Sequence, residues 1–138
     1  MPQWRKLHTK ITESIDVPSD YKPRRCYYFL RAKRPEPETA WMYGLVDPGA
    51  DNIRYIGKTH VADLRQRLYL HICDARKGGH SEKDCWIRSL LAVGLRPELI
   101  ELAAVPYGLW PLGEAAAIRW AREQGYDLLN VTGPGGGA

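Results

Sequence analysis

Glu114 stands in the run LGEAAAI, and its helical neighbours at plus three, four and seven are Ala117, Ile118 and Ala121. A carboxylate on an apolar helix face must be paired or must hold a cation. The structural alternative is a first-turn acid favoured by the helix dipole. Tyr43 and Tyr55 stand on two short extended runs, and Gly57 and Lys58 follow the second. A nearby ammonium lowers a phenol from its ordinary pKa of about 10, although two tyrosines across a hairpin also simply pack together. In LRQRL, Arg65 and Arg67 lie two apart and so on different helix faces. Guanidinium stays charged and donates two parallel hydrogen bonds to a phosphate.

A competing set is His71, Cys73, His80 and Cys85, all of zinc-ligand type. Their spacing matches no common finger, and His71 and Cys73 point to different helix faces, so buried thiols and surface or phosphate-contacting histidines are the plainer reading. A Cys-His nucleophilic pair lacks any oxyanion site. Trp86, Trp110 and Trp120 read as core or interface aromatics.

The elements that must position these groups follow from periodicity. Trp41 to Val46 and Ile53 to Gly57 suit two strands, with Asp47, Pro48, Gly49 and Asn52 as turn residues between them. Val61, Leu64, Leu68, Ile72 and Ala75 form the stripe of a helix ending at Gly78 and Gly79. Ser81 with Asp84 resembles a capping box opening a second helix, whose Trp86, Ile87, Leu90 and Leu91 face the core before Gly94. Leu99 to Val105 reads as a third strand, central or at an edge. Pro111 or Gly113 opens a third helix closed by Gly125, and Leu128 to Val131 is a short strand or extended end. The order ββααβα predicts a mixed α+β domain with a small antiparallel or mixed three-stranded sheet flanked by helices.

The 138 residues suit one compact domain, 44% hydrophobic and 26% charged, with no apolar run of membrane-spanning length. MPQWRKLHTK lacks a secretory signal pattern, and Cys26, Cys73 and Cys85 match no disulfide framework, so an intracellular, cytoplasmic chain with reduced thiols is expected. Net charge is +4, and its excess lies wholly in residues 1–40, which hold nine Lys or Arg against five acids. KPRRCYYFLRAKR reads either as an arm whose cations, Lys33 and Arg34 among them, neutralise phosphates while its tyrosines stack on bases, or as a leader carrying an extra strand at Tyr27 to Ala32. The expected organisation is a basic extension over 1–40, a domain over 41–131 and a flexible GPGGGA-containing tail over 132–138.

Tyr43, then YIGKT, then LRQRLYLH, then GGH, then LGEAAAIRW, then GYDLLN together resemble the GIY-YIG nuclease domain, over Trp41 to Asn130 and so about two-thirds of the 138 residues. One departure is plain: where that family reads Gly-Ile-Tyr, this chain reads Trp41-Met42-Tyr43, and altered packing is expected at the strand's start. Phosphodiester hydrolysis needs a deprotonated water, counter-charge for the developing oxygens and help for the leaving alkoxide. The resemblance implies that Glu114 holds one Mg²⁺ or Mn²⁺, and that Tyr43 deprotonates or orients the water. It implies too that Tyr55 and Lys58 hold Tyr43's hydrogen bonds and lower its pKa. Arg67, four residues before His71 as in the family, would bind the scissile phosphate. Arg65 and His71 would serve as further substrate contacts, and His80 would assist the base or touch phosphate. Gly57 and Asn130 would shape the site.

The function so implied is a metal-dependent endonuclease acting on DNA, double-stranded by expectation. The arm, a homodimer or an accessory DNA-binding partner would supply recognition, since no separate DNA-binding domain is legible. A non-catalytic nucleic-acid-binding module with the same fold is the rival, and a zinc-stabilised interaction protein is a third class.

Overall fold

The computed structural model describes residues 10–130; the GPGGGA tail, Val131, Arg5 and Lys6 lie outside them. Strand β1 (Thr39–Asp47) turns back into β2 (Asn52–Thr59), and β3 (Glu98–Pro106) pairs with the other side of β1. Both pairings are antiparallel, so the order is β2-β1-β3, with β1 central and β3 at an edge. The turn follows its chemistry: the Gly49 amide donates to Asp47 Oδ1 at 2.9 Å, and Asp51 takes φ +49°. All strands extend one or two residues beyond their hydrophobic runs, because backbone pairing continues past the last apolar side chain.

Side chains alternate across β1 and sort the core into two faces. Met42 and Val46 join Ile53, Ile56, Leu102 and Ala103 on one face. There α4 (Trp110–Glu123) lays Ala117, Ala121 and Trp120 across the strands. Tyr43 and Leu45 join Tyr55 on the other, beneath Ile72 and Ala75 of α2 (Leu64–Arg76) and Ile87 of α3 (Glu82–Ala92). Helix α2 starts later than the stripe predicts, since Asp63 caps it by accepting from the Arg65 amide at 3.1 Å and leaves Val61 in the loop. Ser81 Oγ accepts from the Asp84 amide at 3.1 Å, but the reciprocal half of a capping box is missing and Asp84 Oδ1 has no partner. A Cβ at Gly113 would meet Met42 Sδ at 2.8 Å, so the glycine lets α4 press onto the sheet one residue before Glu114.

One expectation fails. Tyr27–Arg31 is a short helix, α1, rather than a strand. A continuous apolar run carries no period that separates the two states, and the local bonds Ala32 N to Tyr28 O and Arg34 N to Phe29 O close this segment on itself. The described part of the basic extension packs on the domain. Ile11 is fully buried in the α4-side core, Tyr21 Oη donates to Gly108 O at 2.9 Å, and the Arg24 amide donates to the same carbonyl. Residues 128–130 form no strand: the Leu129 amide donates to Arg54 O at 2.6 Å, and the Asn130 amide group takes both backbone groups of Ile56, covering the open side of β2. Among the described residues no helix is long and apolar enough to cross a membrane.

Candidate active site

The site is built outward from Tyr43, fully buried at the middle of β1. Its register partner on β2 is Gly57, and a Cβ there would lie 2.5 Å from Tyr43 Cζ. Gly57 is therefore the gap through which the phenol ring passes, while Tyr55 faces Leu45 one step along. The two tyrosines share a face without being directly paired.

Helix α2 closes on the phenol oxygen with two residues one turn apart. His71 Nε2 lies 2.5 Å from Tyr43 Oη, and Arg67 Nε donates to the same oxygen at 3.1 Å. The far imidazole nitrogen, His71 Nδ1, is 3.0 Å from Lys83 Nζ. An ammonium only donates, so Nδ1 accepts and the ring proton sits on Nε2, aimed at Tyr43. The phenol oxygen thus receives two donors, and its own proton points away from both. Burial, then the charges of Lys83 and Arg67, push the His71 pKa down to about 3, so the ring is neutral. His71, expected from the sequence among the substrate contacts, is buried with both ring nitrogens engaged, one by Tyr43 and one by Lys83.

The expected partners of Tyr43 are replaced. Tyr55 makes no hydrogen bond among the described residues; it packs edge-on to His71 and lies 5.2 Å beneath Lys83. Burial, with Tyr43 and Glu114 next, pushes its hydroxyl up to about 12. Lys58, one residue past the glycine, points to the α4 face, where Nζ sits 3.9 Å over the Trp110 ring. Arg67, not Lys58, is the cation beside Tyr43, and burial outweighs it, leaving the phenol above its ordinary value with Glu114 adding to the rise. Strand alternation explains the substitution, since adjacent residues on β2 cannot serve one face.

Glu114 is the fifth residue of α4, past the first turn, so a dipole contact does not account for it. It is 7% exposed, and its carboxylate makes no hydrogen bond or ion pair among the described residues. Burial pushes its pKa up to about 7, opposed by Lys58. Its negative charge raises the pKa of both tyrosines, though it stands on the helix that packs the other face of the sheet. No group of three His, Cys, Asp or Glu side chains is gathered for a metal among the described residues. One unpaired carboxylate fits a largely hydrated Mg²⁺ or Mn²⁺ that completes its shell with water and substrate phosphate; it does not fit a closed protein cage.

The remaining candidates scatter. Arg65 is almost fully exposed and pairs with Asp63 at its own helix cap. His80 is exposed in the loop between α2 and α3, outside the hydrogen-bonded cluster, and Lys33 and Arg34 are exposed beyond α1. Asn130 clamps Ile56 from outside, its Oδ1 accepting from the amide at 2.9 Å and its Nδ2 donating to the carbonyl at 2.7 Å. The zinc-type set does not assemble: His71 is committed to Tyr43 and Lys83, and Cys85 Sγ accepts from Arg88.

Sequence reasoning missed Lys83 and Arg24. No local pattern marks Lys83, and only α2–α3 packing brings it to His71. Arg24 lies 5.2 Å from the Trp110 centroid, so one indole serves two cations and the basic N-terminal segment reaches the site beside Lys58. Comparison of the chain with family models, with curated proteins and with solved structures finds no match in any of the three.

Proposed function

We propose that the chain is a metal-dependent endonuclease of the GIY-YIG type that hydrolyses DNA phosphodiester bonds. The observation that carries this reading is the phenol oxygen of Tyr43, held by donors from Arg67 and His71 and lying in the field of an unpaired, buried Glu114. A packing tyrosine needs no such pair of donors, and a module that only binds DNA gains nothing from a carboxylate that repels phosphate.

Tyr43, with both lone-pair directions taken, turns its O–H outward, where it orients a water or, as phenolate, removes its proton. Arg67 spends Nε on Tyr43 and leaves both terminal nitrogens without a hydrogen bond among the described residues, a fork suited to the scissile phosphate. Tyr55, its hydroxyl unpartnered, is a second phosphate or water contact. Lys58 and Arg24 add positive charge along the strand's path. Glu114 would hold the divalent cation, which supplies counter-charge to the oxygens on which negative charge develops. Three free cysteines suit a reducing, cytoplasmic setting.

The test is cleavage of supercoiled plasmid, single-stranded DNA and RNA in Mg²⁺, Mn²⁺ or EDTA, with Glu114→Gln in parallel. Metal-dependent cutting of DNA that disappears in the variant is expected. Binding without cutting, equal in Mg²⁺ and EDTA, would replace this reading with the binding-module one.

A further inference from the structure

Beside the tyrosine cluster, between the end of β2 and the start of α2, lies a cavity of about 360 Å³. That is at the low end of the ~300–1,000 Å³ of small-molecule sites, the scale of one nucleotide rather than of a helix face. Its lining is divided by chemistry. Arg67 stands on the side shared with the candidate active site, Lys58 borders the cavity from the end of β2, and Thr59, His60, Val61, Gln66 and Leu70 form the rest. Cations suit a phosphate, Val61 and Leu70 suit the faces of a ring, and the Gln66 amide both donates and accepts, as a base edge requires.

The imidazole wall is built rather than incidental. His60 packs edge-on against Phe29 of α1 at 5.6 Å and against Tyr107 at 6.3 Å. The basic segment thus buttresses the cavity through Phe29 of α1.

We propose that this cavity is a subsite for one unstacked nucleotide adjoining the phosphate held by Arg67, so that the chain prefers DNA with an unpaired base at that position over a fully paired duplex. The proposal rests on the nuclease reading for its register, but the subsite itself is a matter of binding. A base still stacked in a duplex cannot enter, and extrusion is least costly where the base is already mismatched or unpaired.

The experiment measures fluorescence anisotropy in EDTA with two labelled duplexes, one fully paired and one carrying a central single-nucleotide bulge. Wild-type protein should bind the bulged duplex about tenfold or more tightly than the paired one. Leu70→Trp, which fills the cavity from its wall, should bring that ratio near one. Gln66→Ala should lower it without adding bulk, and Tyr69→Trp, on an exposed neighbour outside the cavity, should leave it intact; thermal melts check that each variant folds. A ratio near one in the wild type, or one that survives Leu70→Trp, overturns the subsite. Repeating the comparison as cleavage in Mg²⁺ separates the two claims: preference without cutting defeats the hydrolytic reading and keeps the subsite, and cutting without preference does the reverse.

Discussion

The two faces of the sheet solve different problems with the same three strands. Under α4 the core is almost wholly apolar, from Ile11 through Met42, Ile56 and Leu102 to Ala117 and Ala121, and one carboxylate, Glu114, interrupts it. Under α2 and α3 the apolar cluster is smaller and is organised around a polar chain running Lys83, His71, Tyr43, Arg67. One face supplies the burial that holds the fold, and the other spends burial on orienting a phenol. An isolated charge on the stabilising face is therefore the anomaly, while on the polar face the cations Lys83 and Arg67 are each hydrogen-bonded to a neutral ring of the chain.

Glu114→Gln breaks the comparison most severely. Metal-dependent cleavage should fall to background, yet the variant should be the more stable protein at alkaline pH. Between about pH 4.5 and 7 the folded chain keeps a proton on Glu114 that the unfolded chain has released, so this group's contribution to stability declines as pH rises across that window and is constant above it. Melting curves should show Glu114→Gln above wild type at pH 8 and level with it at pH 4. Mg²⁺ should narrow the gap at pH 8 by raising the wild type alone. A variant less stable than wild type at pH 8 would mean that Glu114 has a structural partner.

Tyr43→Phe acts on the other face. It removes the acceptor shared by Arg67 and His71 and should lower the cleavage rate by roughly 10²- to 10⁴-fold, the range of a lost general base. Because burial holds the phenol above its ordinary pKa, the wild-type rate should climb with pH through 9 with no plateau at neutrality, and Tyr43→Phe should flatten that climb. A wild-type plateau below pH 8 would assign the titration to another group. Gly57→Ala is milder in chemistry but still damaging, since its methyl group would occupy the place of the Tyr43 ring. A stability loss of about 1–3 kcal/mol by denaturant melts is expected, as for overpacking elsewhere, with cleavage reduced because the ring must shift.

What could be read from the sequence divides along the same line. Periodicity placed three strands and three helices in order, and Glu114 stood out because an apolar helical stripe makes a lone acid visible. Arg67 was chosen over Arg65 through the resemblance, by its place four residues before His71, and that spacing also puts the two on one helix face. The wiring between elements was not legible. That Lys58 turns toward Trp110 and away from Tyr43 follows from the alternation of β2, and the β-bulges between Leu45 and Val46 and between Met42 and Tyr43 shift pairing in ways no local pattern announces. Lys83 reaches His71 only because α3 folds back on α2. Trp41, which stands where the family motif has glycine, is half-buried between Thr59 and Ala104 and leaves Tyr43 inside the sheet.

Lys83→Met tests the smallest and most specific of these contacts. With the ammonium gone, nothing forces Nδ1 to accept, and the imidazole is free to carry its proton there and present a bare Nε2 to Tyr43. The phenol would then donate inward to His71 rather than outward to a substrate, reversing the one hydrogen bond that sets its direction. Nitrogen chemical shifts of the His71 ring should report Nε2–H in the wild type and a mixture or Nδ1–H in Lys83→Met, with cleavage lowered by about tenfold, roughly 1.4 kcal/mol of barrier. The pKa of the ring should rise from about 3 but stay below its ordinary 6.5, since burial is the larger cause of the depression and the Arg67 charge remains. Wild-type stability should accordingly lose this group's contribution as pH falls from 6.5 toward 3, where the unfolded chain takes up the proton first, and the loss should be shallower in the variant. An unchanged tautomer in Lys83→Met would show that the contact with Tyr43 suffices to orient the ring, and would remove Lys83 from the proposed mechanism.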